Sequence, residues 1–241
     1  MTSLIATHVA IAGRLEPTDL KVEAGELIAL VGPNGGGKTS LLRALARVEQ
    51  ASGDVQIDSE SVDAASPARR RHLLSFLPAS RDFAWPIAAR DVIALGLDRP
   101  DPERIEELIA LLELEQLSTR PINQLSTGER ARILTARALV GKPQILLLDE
   151  PLTNLDPDWV LRLMAILETI AGSGQSVIVA LHDLSLLPRF HRALLIADGR
   201  VHMDEAPASL MASERFGEVF RISAADGGWT IRNQADRRSS P

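Results

Sequence analysis

Short apolar runs punctuate the chain, each too brief for a helix. They are "GELIALVG" (Gly25 to Gly32), "LLSFLP" (Leu73 to Pro78), "QILLLDEP" (Gln144 to Pro151) and "SVIVALHD" (Ser176 to Asp183). Runs of this length without polar alternation fit strands buried on both faces. Between them the apolar period lengthens to that of a helix. "SLLRALARV" follows the first run across a Gly-rich turn, and "DWVLRLMAILETIAGSG" is amphipathic and closed by Gly172 and Gly174. Buried strands alternating with helices predict an α/β fold with a mostly parallel sheet covered on both faces.

Between Ile87 and Val140 the strand pattern vanishes and helices are expected at "ARDVIALGL", at "PERIEELIALLELEQL" and after "LSTGER". This reads as a helical insertion in the α/β unit. "RALLIADGRVHMDE" predicts two strands around an Asp-Gly turn. "PASLMASERFGEVF" reads as helix, "AADGGWTIR" as a short hairpin, and "NQADRRSSP" as a frayed tail.

The 241 residues suit one large domain with its own core. There is no Cys, which excludes thiolate catalysis, disulfides and Cys-ligated metal. No apolar run approaches the roughly 18 to 20 residues that span a bilayer. Ala10 to Ala12 offers an Ala-x-Ala, but no Lys or Arg precedes it and Thr7 and His8 interrupt the apolar run, so a cleaved leader is not expected. The net charge is −6, and the basic cluster Arg69 to Arg71 has no interleaved aromatics, so it reads as a solvated surface and no nucleic-acid partner is expected.

Chemistry concentrates where the apolar runs end. "GPNGGGKTS" supplies Gly32, Pro33, Asn34, Gly35, Gly36, Gly37, Lys38, Thr39 and Ser40 between a predicted strand and a predicted helix. Such a loop points successive backbone N–H groups into one concavity at a helix N-terminus. Lys38 then reaches the β and γ phosphates, and the Thr39 hydroxyl can bind Mg2+. Asp149 and Glu150 end another buried run, where open α/β sheets bind ligands. Asp149 is expected to hold Mg2+ through water, and Glu150 to orient or deprotonate an attacking water. His182 ends a third run. A lone His there is commonly structural, but beside a γ-phosphate it can donate a hydrogen bond to the transferring group. In "LSTGER", Ser126 and Glu129 have the spacing of a capping box.

Together, "GPNGGGKT", "LSTGER", "ILLLDEP", "TNLDP" and "LHDL" resemble ABC-type ATPases in order and spacing, over nearly the whole chain. "ARDVIALG", "LLLDEPLTNLDP" and "ALHDLSLLPRF" look most like the ATP-binding subunits of iron-chelate, haem or cobalamin importers. The resemblance implies a RecA-like P-loop NTPase core, an antiparallel β subdomain, a helical subdomain at about 80–140 and a short C-terminal extension at about 224–241. It implies ATP and Mg2+ as cofactors, with Lys38, Glu150 and His182 catalytic and Thr39 and Asp149 at the metal. It also implies a dimer that sandwiches ATP between the phosphate loop of one copy and Ser126 and Gly128 of the other, with Asp156 at the junction. The implied partners are an integral membrane permease and a separate substrate-binding protein, with the chain peripheral on the cytoplasmic face of the cell membrane.

Some residues depart from the family pattern. Ala79 stands where Gln is usual, and a methyl group neither ligates nor hydrogen-bonds; Ser80 or Asp82 is the available substitute. No aromatic residue precedes the phosphate loop to stack on adenine, leaving His8 or Arg14 for that contact and predicting loose base selectivity. Thr127 replaces the commoner Gly, which narrows the space beside the phosphate without removing a backbone donor. The alternatives are a soluble ABC ATPase outside transport, which the missing Gln favours, and a nucleotide-binding regulator without turnover. The chain lacks the charged linker and the long coiled-coil insertion of the soluble members.

Overall fold

The computed structural model describes residues 4–80, 85–225 and 228–231. β1 (Leu4–Ile11) and β2 (Leu15–Val22) form an antiparallel hairpin that precedes β3 (Leu27–Val31), the phosphate-loop segment and α1 (Lys38–Ala46). β4 (Ser52–Ile57) and β5 (Glu60–Ser61) extend the hairpin into a four-stranded antiparallel sheet of order β2-β1-β4-β5. α2 (Pro67–Leu73) leads into β6 (Leu74–Leu77). The helices α3 (Ala89–Ala94), α4 (Pro102–Leu111) and α5 (Thr127–Val140) then separate β6 from β7 (Ile145–Asp149). α6 (Pro157–Gly172), β8 (Ser176–Ala180), β9 (Arg192–Ala197) and β10 (Arg200–Glu205) complete a six-stranded sheet of order β10-β9-β3-β8-β7-β6. Its pairings are parallel except for β10 on β9.

The apolar runs are continuous because both faces of this sheet are covered. Leu27, Ala29 and Val31 of β3 face a core shared with α3 to α6, whereas Ile28 and Leu30 face one shared with α1 and the antiparallel sheet. β7, β8 and β9 divide their residues in the same alternating way. α1 therefore lies between two sheets, with Leu41, Leu42, Ala44 and Leu45 fully buried. Its N-terminus is fixed from both sides.

The expected helix at Pro207 to Phe220 is two helices, α7 (Pro207–Ala212) and α8 (Glu214–Phe220). Ser213 is extended (φ −75°, ψ 146°), and its hydroxyl accepts the Phe216 N–H, so a capping residue restarts the helix inside an otherwise helical pattern. β11 (Ile222–Ala225) and β12 (Gly228–Ile231) form the expected hairpin, and the tail from 232 lies outside the described residues. Among the described residues no helix is long and apolar enough to cross a membrane. The basic cluster of α2 is taken up in ion pairs, Arg69 with Glu60 at 2.9 Å and Arg71 with Asp98.

Candidate active site

The register of the parallel strands brings three chemical segments level. Leu30 pairs with Ala180, and Ala180 with Asp149, so β3, β8 and β7 end at the same height. Gly32 begins the phosphate loop just beyond β3, Glu150 directly follows β7, and His182 follows β8 by two residues. Segments far apart in sequence meet because parallel strands end on one side, where such sheets bind ligands. A cavity of about 860 Å³ opens there, lined by Asn34 to Ser40, Glu150 and His182, with Gly13 to Glu16, Asp198 and Gly199 on a further wall.

The loop before α1 has little steric freedom. A Cβ on Gly32 would sit 1.9 Å from the Ile196 carbonyl oxygen, and Gly37 takes φ +112° as it turns into the helix. Both positions therefore require glycine. Lys38 is buried and its Nζ donates to the carbonyls of Gly32 (2.7 Å) and Pro33 (3.1 Å), which folds the ammonium back over the loop. Burial lowers the Lys38 ammonium below its ordinary value, while Glu150 and Asp149 draw it back up.

The two carboxylates that follow one another differ sharply. Asp149 is 1% exposed and neither oxygen has a partner of good hydrogen-bonding geometry. Burial raises its carboxyl above the ordinary range. The nearby Thr39 hydroxyl counters that rise, Glu150 adds to it, and the Ala79 N–H and Arg43 counter it further. Glu150 takes a left-handed φ of 54°, which turns its side chain out of the strand alternation. A hydrogen bond joins its Oε1 to His182 Nε2 at 2.5 Å.

These residues fit a nucleotide with Mg2+. Orphaned, buried carboxylate oxygens beside a hydroxyl are the donor set of a hard cation, and a ring of N–H groups at a helix N-terminus suits phosphate. Thr39 and Asp149 would hold the metal, and Lys38 with the loop amides would hold the phosphates. His182 and Glu150 stand together at the mouth, where a water could be oriented.

Ser126, Gly128 and Asp156 are not among the residues lining this cavity. Ser126 caps α5 in a complete capping box: its hydroxyl accepts the Glu129 N–H at 3.2 Å, and Glu129 accepts the Ser126 N–H at 2.8 Å. The Ser126 N–H holds the Glu129 carboxyl below its ordinary value. Asp156 caps α6 by accepting the Trp159 N–H at 3.0 Å. The two caps are neighbours, since a Cβ on Gly128 would lie 3.0 Å from the Asn154 carbonyl oxygen.

Of the residues considered for the base, His8 is exposed, pairs with Asp19 at 3.3 Å and does not line the cavity; Arg14 does. Asp82 lies outside the described residues, and Ala79 offers its backbone N–H toward Asp149. The wall formed by Leu15, Glu16, Asp198 and Gly199 was not evident from the sequence. The Asp-Gly turn is legible as a hairpin, but its position against the phosphate loop is a tertiary fact. A second cavity of about 770 Å³ lies beside β6, bounded by Val48, Glu49, Phe76, Pro78 and Leu95, with Arg43, Arg70, Arg71 and Arg137 on its walls.

The ABC transporter family profile matches residues 15–153. The chain is 36% identical over 228 residues to a hemin import ATP-binding protein of Streptomyces coelicolor, covering 88% of this chain and 80% of that protein. It is 30% identical to a petrobactin import ATP-binding protein of Bacillus anthracis, over 87% of this chain and 82% of that one. A cobalamin import ATP-binding protein of Halobacterium salinarum is 31% identical over 94% of this chain and 61% of its own length. Among solved structures, a dimeric ATP-binding cassette in a post-hydrolysis state with ADP and phosphate superposes with a TM-score of 0.75 at 25% identity, covering 86% of this chain and 99% of the other.

Proposed function

The chain belongs to the ABC transporter family and is an ATPase of that family, and from that premise we propose that it powers import of a metal chelate, such as an iron siderophore, haem or cobalamin, through a separate membrane permease. The observation that carries the reading is the meeting of Lys38, Asp149, Glu150 and His182 at one end of the sheet, in a chain similar to hemin, petrobactin and cobalamin import subunits.

Each residue has a separate task. The loop from Gly32 to Ser40 fixes the phosphates, and Lys38 leaves its carbonyl partners for them. Bound Mg2+ supplies charge neutralisation on the phosphate oxygens. Such a cation would offset the burial of the Asp149 charge, which the Thr39 hydroxyl, the Ala79 N–H and Arg43 counter only in part. Glu150 orients water and takes its proton, and His182 holds Glu150 in place and offers its own hydrogen bond to the departing phosphate. The chain works as a pair, with Ser126 and Gly128 of one copy facing the nucleotide of the other and Asp156 between the two sites. Its place is the cytoplasmic face of the membrane, beside the permease and served by a separate substrate-binding protein.

The second cavity suits the permease. Exposed Val48 and Leu95 give it apolar contacts, and Pro78 leads directly to the Ala79 N–H beside Asp149. Purifying the chain from membranes and measuring phosphate release tests the whole reading. An integral membrane partner and ATP-dependent release are expected. A soluble partner in its place would move the protein to the non-transport ATPases, and binding without release would make it a regulator.

A further inference from the structure

The two helix ends proposed to face the partner's nucleotide belong to elements that lie apart in the sequence. α5 precedes β7 and starts at the Ser126 cap, whereas α6 follows β7 and starts at the Asp156 cap. Two helix ends that serve one phosphate group must keep their spacing to about 0.5 Å. A close backbone approach sets one point of it, where Gly128 abuts the Asn154 carbonyl. One such point is a pivot, and a second contact further along each helix fixes the angle between them.

That second contact is made by Trp159, on the first turn of α6, whose backbone N–H donates to the Asp156 cap at 3.0 Å. The Arg132 guanidinium, on the second turn of α5, stands 4.2 Å from the centroid of the Trp159 ring, and that of Arg162 stands 5.4 Å from it. Both lie within the roughly 6 Å reach of cation–π attraction. Two like charges on one ring repel, and Glu113 relieves them. Its carbonyl accepts Arg132 Nη1 at 3.2 Å, beside the Leu112 carbonyl at 3.1 Å, and its carboxylate pairs with Arg162, which also meets Asp158 at 2.7 Å. Trp159, Arg132, Glu113 and Arg162 thus close into a ring that joins the end of α4 to α5 and α6. Burial lowers the Arg132 guanidinium below its ordinary value, while Glu129, Glu113 and Asp156 draw it back up, so this cation lies in the field of both helix caps.

We propose that Trp159 is a positioning residue for the shared ATP site: gripped by Arg132, it holds the Ser126 end of α5 and the Asp156 end of α6 at the spacing that a second copy's nucleotide requires. This rests on the paired-site reading above. Trp159 does not line the cavity at Lys38 and acts through the two helices, so nucleotide binding to a single chain does not depend on it.

The test reads three quantities on the full chain carrying Glu150→Gln: the melting temperature, ATP binding at protein concentrations too low for pairing, and the ATP-driven dimer by sedimentation. Trp159→Leu keeps an apolar side chain against the core and removes the π-face. It is expected to weaken the dimer by roughly 3- to 30-fold while ATP binding to the single chain stays within about twofold. Trp159→Phe keeps a π-face and restores most of the dimer. Arg132→Met is expected to match Trp159→Leu, and the two together to lose little more than either alone, because they remove one contact. An unchanged dimer in Trp159→Leu overturns the proposal. Equal losses for Leu and Phe, or additive losses in the double variant, overturn it too, since the ring would then serve packing alone. So does loss of single-chain ATP binding in step with the dimer, which places the damage in the phosphate loop. If Trp159→Leu does not fold, Arg132→Lys against Arg132→Met carries the same test, because Lys keeps a cation at the ring and restores part of the dimer. A Glu150→Gln chain with Trp159 intact that stays monomeric at saturating ATP defeats the paired-site reading itself, and the role of Trp159 with it.

Discussion

Asp149 and Glu150 are consecutive, yet the backbone turns between them and gives them opposite surroundings. Asp149 stays in the strand, 1% exposed and without a hydrogen-bond partner of good geometry, and Glu150 leaves it at φ 54° to reach His182. The folded chain bears the cost of the Asp149 charge. Because burial raises this carboxyl, the native state holds a proton that the unfolded state releases, between the ordinary carboxylate value and the raised one. Stability from this group therefore falls as pH rises through that window and is regained on acidification. Asp149→Asn is expected to raise stability near neutral pH by about 1 to 3 kcal/mol, and to lose the extra rise in Tm that Mg2+ adds to ATP. Thermal melts across pH, with ATP alone and with Mg2+, check both parts; an Asn variant less stable at neutral pH would mean the carboxylate is not an uncompensated charge. The position of Asp149 was legible because a buried run ending in "DE" is a local pattern. The turn at Glu150 was not, since a left-handed φ at Glu is imposed by tertiary contacts.

At the scale of the element, two helix N-termini each carry a residue with a structural task and a proposed functional one. Ser126 caps α5 and Asp156 caps α6. Replacement by Ala mixes the two, because either loss costs about 1 kcal/mol of stability. Substitutions that keep the cap separate them. Asp156→Asn retains the acceptor and is expected to melt like the parent while weakening ATP-driven dimers, read by sedimentation. Ser126→Asp likewise keeps α5 capped, but sets a carboxylate against the partner's γ-phosphate and is expected to abolish those dimers; an unaltered dimer in this variant would remove Ser126 from the interface. The capping box was readable from "LSTGER" because its partners are three residues apart. The same locality explains what was not readable. The break between α7 and α8 depends on the choice of Ser213 as a cap within a continuous helical pattern, and Arg14 meets Glu49 only because β1, β2 and α1 fold together. His8 and Arg14 looked equivalent on paper, and the hairpin turns one away from the cavity and the other into it.

At the scale of the whole molecule, the two loops proposed to face phosphate do not meet within one chain. The loop at Lys38 lines the cavity, whereas Ser126 and Gly128 lie outside it, beside Asn154 and the cap of α6. No rotation of a single side chain closes that gap, because Ser126 is committed to Glu129 and α5 packs through Ile133, Leu134 and Leu139 into the core beneath the sheet. In the proposed pair, a second copy supplies the missing face without disturbing either element. Under the proposed reading, hydrolysis limits how long two copies stay together, and the group proposed to limit hydrolysis is Glu150. Glu150→Gln keeps the size and the hydrogen bond to His182 but cannot take a proton, so turnover is expected to fall by roughly 10²- to 10⁴-fold with ATP affinity preserved. With chemistry stopped, ATP no longer leaves the interface. The variant is expected to sediment as a dimer with ATP and as a monomer without it, while the parent shows a dimer only transiently. If both remain monomers at saturating ATP, the two loops do not serve one nucleotide and the shared-site account fails.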